Sequence, residues 1–97
     1  MIESYKYSVR ATSKFKKTVK RIIKRGKNPQ KLKDVVDILA KGDKLADSYR
    51  DHSLVGKWIG HRELHIEPDW LLIYKIEEDI LILELVDTGS HSDLFGK

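Results

Sequence analysis

The stretch WLLIYKIEEDILILELV, residues 70–86, decides the fold class of this 97-residue chain. Two apolar runs, residues 70–76 and 80–86, are rich in the aromatic and branched side chains that favour β-strands. The acidic residues 77–79 between them indicate a turn. A third run of this kind, residues 57–66, precedes them. We therefore predict three consecutive strands that form an antiparallel meander.

Upstream of the meander, the spacing of apolar residues predicts one strand and two helices. Residues 5–9 alternate apolar and polar side chains, which is typical of a short strand. Residues 13–25 and residues 29–41 carry apolar side chains at helical spacing, and a glycine follows each segment as a stop signal. The remaining segments, residues 45–56 and 88–96, have the composition of irregular loops.

Together these elements predict a single α+β domain over residues 1–97. The N-terminal strand and two antiparallel helices precede the three-stranded antiparallel meander, and all strands form one sheet with the helices on one face. The opposite face is left free in this arrangement. We expect a functional site on that face, between the irregular segment and the C-terminal loop.

Composition excludes several classes of protein. The chain has no cysteine, so disulfides, thiolate zinc sites and a thiol nucleophile are excluded. The longest apolar stretch, residues 70–74, is far shorter than the ~20 residues that span a bilayer. Residues 1–6 lack the apolar core of a signal peptide. We therefore expect a cytoplasmic protein without a membrane partner.

Charge is distributed very unequally along the chain. The first 50 residues carry a net charge of +10 and the remainder −6, although the whole chain carries only +4. Residues 14–33, here called the basic block, contain ten Lys or Arg and no acid. Such a block attracts polyanions such as nucleic acid, but an acidic partner protein would satisfy the same surface. The basic residues of its first part are Lys14, Lys16, Lys17, Lys20, Arg21, Lys24, Arg25 and Lys27.

The four histidines all lie in the second half, in or beside predicted loops: His52, His61, His65 and His91. Metal-independent RNA cleavage needs a base for the 2′-hydroxyl proton, an acid for the leaving 5′-oxygen and cations for the phosphorane. Two histidines with Arg or Lys supply these groups. Single histidines are also ordinary surface residues, and we keep that interpretation for His61.

Other chemistries fit the sequence less well. The segment HRELH, residues 61–65, has its glutamate in the wrong position for a metalloprotease motif and lies in a predicted strand. His52, His65, His91 and Asp69 could ligate zinc, but their spacing is not diagnostic. We therefore predict neither a metal nor another cofactor.

Three blocks of the second half resemble the YafQ-like branch of the RelE/ParE superfamily of bacterial type II toxins. They are DHSLVGKW (residues 51–58), RELHIEPDWLLIY (residues 62–74) and TGSHSDLFG (residues 88–96). The N-terminal half agrees with this family only in pattern, a strand followed by two basic helices. The resemblance therefore implies a RelE-like fold for the domain.

The resemblance also implies an activity: a ribosome-dependent, metal-independent endoribonuclease, or mRNA interferase, that cuts translated mRNA by 2′-hydroxyl attack. His52, His65, Asp69 and His91 match the positions where this branch keeps its catalytic set, with His91 as the general acid. Phe95 matches an aromatic residue that holds the message.

Further contacts and partners follow from the same comparison. Arg62 and Lys57 are candidates for contacts with the message, although an ion pair with a nearby acid is the alternative for Arg62. The eight basic residues named above would bind ribosomal RNA. The expected partners are the ribosome, mRNA and an acidic cognate antitoxin with a DNA-binding N-terminal half. The alternatives are a ParE-like poison of DNA gyrase or another protein, and a plain nucleic-acid-binding module.

Overall fold

The computed structural model describes residues 4–96, so the first three residues and Lys97 of the predicted domain lie outside the described part. Within residues 4–96 the chain forms five strands and three α-helices. In chain order they are β1 (Ser8–Ala11), α1 (Ser13–Lys24), α2 (Pro29–Lys41), β2 (His52–Ser53), β3 (Arg62–Glu67), β4 (Trp70–Glu77), β5 (Ile82–Gly89) and α3 (His91–Phe95). Short 3₁₀ turns occupy Asp47–Tyr49 and Gly56–Trp58.

All strands belong to one sheet with the order β1-β5-β4-β3-β2. The pairs β2–β3, β3–β4 and β4–β5 are antiparallel, whereas β1 lies parallel to β5. The α+β fold and the antiparallel meander are therefore confirmed. The prediction missed β2, because two residues at a sheet edge leave no periodic signal.

The predicted strand over residues 57–66 is wrong in its first half. Gly56–Trp58 forms a 3₁₀ turn, and Gly60 follows with a φ of 90° that an L side chain rarely adopts. The chain therefore reverses before it enters the sheet, and β3 begins only at Arg62.

The first strand also starts later than predicted, at Ser8 rather than residue 5. The backbone N–H groups of Lys6 and Tyr7 both donate to the carbonyl of Ala40, at the end of α2. Tyr7 is buried, and its hydroxyl donates to Glu78. These contacts hold residues 6 and 7 against α2, so the sheet ladder begins after them.

Both predicted helices are present, and side chains cap their first turns. The Thr12 hydroxyl accepts from the N–H of Phe15 at the start of α1, and the Asn28 side chain caps α2 with Pro29 at its first position. Gly42 ends α2 in the left-handed conformation. No helix within residues 4–96 is long and apolar enough to cross a membrane.

The segment predicted as a C-terminal loop contains the short helix α3. Its Ser90 hydroxyl accepts from the N–H of Asp93, and the Asp93 carboxylate accepts from the N–H of Ser90. This reciprocal pair is a capping box, which stabilises the first turn of a helix. The spacing Ser90-His91-Ser92-Asp93 was therefore the available signal for α3.

The two faces of the sheet have different roles. One face packs against α1 and α2 in a core that includes Phe15, Ile22, Leu32, Val35, Leu64, Leu72, Tyr74 and Leu83. Directly paired residues share a face of a sheet. The pairs His52–Glu63, Glu63–Ile73 and His65–Leu71 therefore place five side chains on the other face. This face carries the candidate site.

Candidate active site

Three of the four histidines form a row, which we call the histidine row: His52 on β2, His65 on β3 and His91 on α3. The ring centroids are 6.4 Å apart for His52 and His65, and 5.8 Å apart for His65 and His91. The sheet register and the turn into α3 thus bring together side chains that are up to 39 positions apart in the sequence.

His52 and His65 are oriented in the same way. His52 Nδ1 lies 2.8 Å from the carbonyl oxygen of Arg50, and His65 Nδ1 lies 3.3 Å from that of Pro68. A carbonyl oxygen only accepts hydrogen bonds, so each Nδ1 carries a proton and donates. Each ring therefore presents Nε2 as the atom that can gain or lose a proton.

His91 has a different partner, the carboxylate of Asp69 in the β3–β4 turn. Asp69 Oδ1 accepts from His91 Nδ1 at 2.7 Å and from the His91 backbone N–H at 3.0 Å. These two hydrogen bonds hold the pKa of Asp69 below its usual range. A carboxylate in this position stabilises a protonated imidazole, which is the form a general acid requires.

Two sets of ion pairs hold the segments that carry His91 and Asp69. Arg25, just after α1, donates to the Asp93 carboxylate of α3 at 2.7 Å. This guanidinium, with the N–H of Ser90, lowers the pKa of Asp93 to about 2. Beside the β3–β4 turn, Glu67 accepts from Lys27 at 2.8 Å and from Lys31 at 2.9 Å. Hydrogen bonds from both lysines lower the pKa of Glu67.

Arg62 lies on the core-facing side of β3, paired with Tyr74, and not beside the histidine row. It donates to the Asp51 carboxylate through Nε and Nη2 and to the Ser53 hydroxyl through Nη1. The Tyr74 hydroxyl also donates to Asp51. This network raises the pKa of Arg62, and burial with the Asp51 contact raises the pKa of Tyr74. Arg62 therefore holds the two residues that flank His52.

Comparison with known proteins decides the family. The family described as "Bacterial toxin of type II toxin-antitoxin system, YafQ" matches residues 7–96, nearly the whole chain. The chain belongs to the YafQ family of toxins. The mRNA interferase toxin YafQ of Escherichia coli K12 is 42% identical over 86 residues, which cover 88% of this chain and 91% of that protein.

Solved structures agree with this YafQ-family assignment. A chain of the E. coli DinJ-YafQ toxin–antitoxin complex matches with a TM-score of 0.85 and 38% identity, over 94% of this chain and 99% of that chain. A metal-bound toxin from Helicobacter pylori matches with a TM-score of 0.87 and 40% identity, over 92% and 99% of the two chains. Within residues 4–96 of this YafQ-family chain, no group of three or more His, Asp or Glu side chains is arranged to hold a metal ion.

The other residues predicted to contact the message are Phe95 on α3 and Lys57 in the segment after β2. Phe95 follows His91 by four residues, so both lie on the same side of α3, and Phe95 is 40% exposed. Lys57 is exposed in the 3₁₀ turn after β2. His61 stands apart from the row and packs edge-to-face against Trp58, with 5.4 Å between ring centroids.

The predicted RNA-binding residues of this YafQ-family chain divide into two groups. Three form ion pairs: Lys14 with Asp87 at 3.4 Å, Arg25 with Asp93 and Lys27 with Glu67. The others lie at exposed positions along α1, where phosphates can reach them: Lys16, Lys17, Lys20, Arg21 and Lys24.

Sequence reasoning missed one acidic residue of this face, Glu63. It is 5% exposed, and its Oε1 lies 3.5 Å from His52 Nε2 and 3.9 Å from His65 Nε2. A signal was available, because alternate residues of a strand share a face and Glu63 stands two positions before His65.

Proposed function

We propose that this chain is the mRNA interferase toxin of a type II toxin–antitoxin system and that it cuts translated mRNA by metal-independent acid–base chemistry on the histidine row. The observation that carries the proposal is the row itself, with Asp69 hydrogen-bonded to His91. The identity with the E. coli mRNA interferase toxin YafQ supports it.

The reaction divides among the three rings. A neutral imidazole, that of His52 or His65, takes the proton of the RNA 2′-hydroxyl at Nε2, and the resulting oxygen attacks the adjacent phosphorus. The bond to the 5′-oxygen breaks, and His91 donates a proton to that leaving oxygen while Asp69 orients its ring. The products are a 2′,3′-cyclic phosphate and a 5′-hydroxyl. The remaining ring of the pair contacts the phosphate.

Recognition uses the surroundings of the row. Phe95, on the same side of α3 as His91, offers a face on which a base can stack. Lys57, exposed in the turn after β2, offers a positive charge to the phosphates of the mRNA. Arg62 serves the reaction through Asp51 and Ser53, which flank His52, rather than by touching the message.

Two macromolecular partners follow. The exposed cations of α1 would bind ribosomal RNA phosphates, with an affinity that falls as salt rises because counterions are released. A cognate antitoxin would neutralise the toxin, and the DinJ-YafQ complex of E. coli provides the precedent. Because the basic block is positively charged, we expect the antitoxin to be acidic where it contacts this surface. We further propose that the N-terminal half of the antitoxin binds DNA.

The experiment is primer extension on messages from cells that briefly express the toxin, with translated and untranslated copies of one message. We expect cuts only in the translated copy. His91→Ala should abolish them, a loss of about 100-fold to 10,000-fold, because the general acid is removed. His61→Ala is the matched control, since this histidine lies outside the row, and it should cut as the native chain does.

Two results would overturn the proposal. Growth arrest without cuts would favour a protein target such as DNA gyrase. The toxin can also be tested on reconstituted ribosomes with phenanthroline, which removes transition metals and leaves the ribosomal Mg²⁺. Loss of cleavage under these conditions would contradict metal independence. Circular dichroism of each variant establishes that a lost activity is not a lost fold.

A further inference from the structure

Glu63 is a buried carboxylate that the reaction described above does not use. It lies on β3, beside the two histidines that the sheet carries. Its Oε1 lies 3.5 Å from Nε2 of His52 and 3.9 Å from Nε2 of His65. Its other oxygen, Oε2, is buried and has no hydrogen-bond partner among residues 4–96. Across the sheet on β4, the residue directly opposite Glu63 is the apolar Ile73.

Such a carboxylate is costly unless something compensates its charge. A buried polar atom without a partner is destabilising, and a buried ionised group is more so. Glu63 therefore contributes little as a structural residue, because apolar side chains of similar size would fill the same position without that cost. The neighbouring rings are the groups that can compensate it.

The orientation of the rings determines how they compensate it. Each Nδ1 donates to a backbone carbonyl, so a neutral ring turns the lone pair of Nε2 toward the Glu63 carboxylate. Two such lone pairs facing one anion repel it. A proton on one Nε2 replaces that repulsion with an ion pair, and the second ring can stay neutral because Oε1 then has its donor.

We infer that Glu63 is a positioning residue that holds one proton on the His52–His65 pair, so that the pair enters the reaction as one imidazolium and one neutral imidazole. The neutral ring is then the base for the 2′-hydroxyl proton, and the charged ring is the cation for the phosphate. Two other carboxylates lie on neighbouring elements, and each has its own partner: Asp69 is engaged by His91, and Asp87 of β5, directly opposite Ile73, forms an ion pair with Lys14. This inference rests on the proposed function, because it assigns roles within that site.

The test uses single-turnover cleavage of mRNA on programmed ribosomes across pH 5–9. Glu63→Gln keeps the shape of the side chain and removes its charge. We expect the rate constant at neutral pH to fall about tenfold to 100-fold, with a less than threefold change in the half-saturating toxin concentration. The pH optimum should move to lower pH, because only a more acidic solution then supplies the proton.

Two further variants separate a charge effect from a structural one. Glu63→Asp keeps the charge at a shorter reach, so it should recover part of the rate and keep the native pH optimum. Glu84→Gln removes a carboxylate from β5, outside the site, and should leave both unchanged. A Glu63→Gln variant with the native pH optimum would overturn the inference, whatever its rate.

A second measurement does not depend on cleavage. ¹⁵N NMR of the imidazole rings at pH 7 reports whether Nε2 carries a proton. We expect one imidazolium between His52 and His65 in the native chain and none in Glu63→Gln. Two neutral rings in the native chain would overturn the inference. Inactivity of the native chain with the expected NMR result would instead count against the proposed function alone.

Discussion

The two ends of the histidine row are held in different ways. At the sheet end, Glu63 is 5% exposed and the His65 side chain is 15% exposed on the central part of β3, although His52 on the edge strand β2 is 49% exposed. At the helix end, the side chains of His91 and Asp69 are 50% and 67% exposed, on a five-residue helix and a turn. Glu63 and His65 are therefore held within the sheet, whereas a few surface contacts hold the helix end.

This difference predicts how each end responds to disturbance. A sheet position cannot move without breaking the ladder, so its displacement is coupled to unfolding of the domain. A short terminal helix can open locally at a much lower free energy. We therefore expect displacement of the sheet end to need a larger loss of stability than displacement of the helix end, while both ends contribute to activity.

The largest expected effect is at the sheet end. Ile73 is fully buried directly opposite Glu63, and Ile73→Ala should lower the free energy of unfolding by about 2–5 kcal/mol through the cavity it leaves. Urea denaturation followed by circular dichroism measures it. Ile80→Ala, at a 63% exposed position, is the control and should change stability by no more than about 0.5 kcal/mol. If Ile73→Ala lowered the free energy of unfolding by less than about 1 kcal/mol, the sheet end would not be as firmly packed as we infer.

The second prediction concerns Asp69, the carboxylate that accepts a hydrogen bond from His91 at the helix end. Asp69→Asn keeps an oxygen that can accept from His91 but removes the charge that favours the imidazolium. Cleavage should fall about tenfold to 100-fold with little change in stability. Asp79→Asn, in the β4–β5 turn, should cut normally. Unchanged cleavage by Asp69→Asn would show that His91 acts without this partner.

The third prediction concerns Gly89→Ala, a substitution that displaces α3. A Cβ added at Gly89 would lie 2.8 Å from Cβ and 2.9 Å from Oδ2 of Asp93, so the helix must shift. Gly89→Ala should cost about 1–3 kcal/mol and lower cleavage. Gly60→Ala is the control for backbone strain alone, because Gly60 also has a positive φ but its Cβ would meet nothing within 4 Å, so this variant should lose stability and keep cleavage. Full cleavage by Gly89→Ala would show that the position of α3 is not critical.

The smallest expected effect is that the local stability of α3 depends on pH. Arg25 and the Ser90 N–H hold the pKa of Asp93 at about 2, below its usual 3.8. A lowered pKa contributes stability above the unfolded-state value, and this contribution is lost as pH falls through the folded value. Hydrogen exchange should therefore show α3 amides losing protection between about pH 4 and pH 2, before those of β4.

Arg25→Gln sharpens this last prediction. Without the guanidinium, the pKa of Asp93 rises toward its usual value, so α3 should lose protection at a higher pH than in the native chain. Simultaneous loss of protection in α3 and β4, in both chains, would show that α3 does not open independently of the sheet.

Much of the fold could be predicted because its signals are local. The apolar runs of β4 and β5 and the caps at Thr12 and Asn28 depend on residues within one or two turns of each other. The short elements were harder. β2 has two residues and depends wholly on pairing with β3, and α3 depends on a capping box that a loop-like composition concealed.

The residue types of the candidate site were evident from the sequence, but their partners were not. Arg62 had several acids within reach along the chain, and the register of β3 directs it to Asp51 on the core-facing side. Glu63, its neighbour, points to the opposite face and meets two histidines. A shift of one residue in that register would exchange these two environments.

By itself, the sequence determined the strands, the two long helices, the unequal charge and the histidines available for proton transfer. Only the tertiary structure decided that His52, His65 and His91 form one row, that His61 stays outside it, and that Glu63 is buried between two of its rings. The physical reason is that side-chain spacing sets local structure, whereas contacts between distant residues depend on strand register and on where the chain turns.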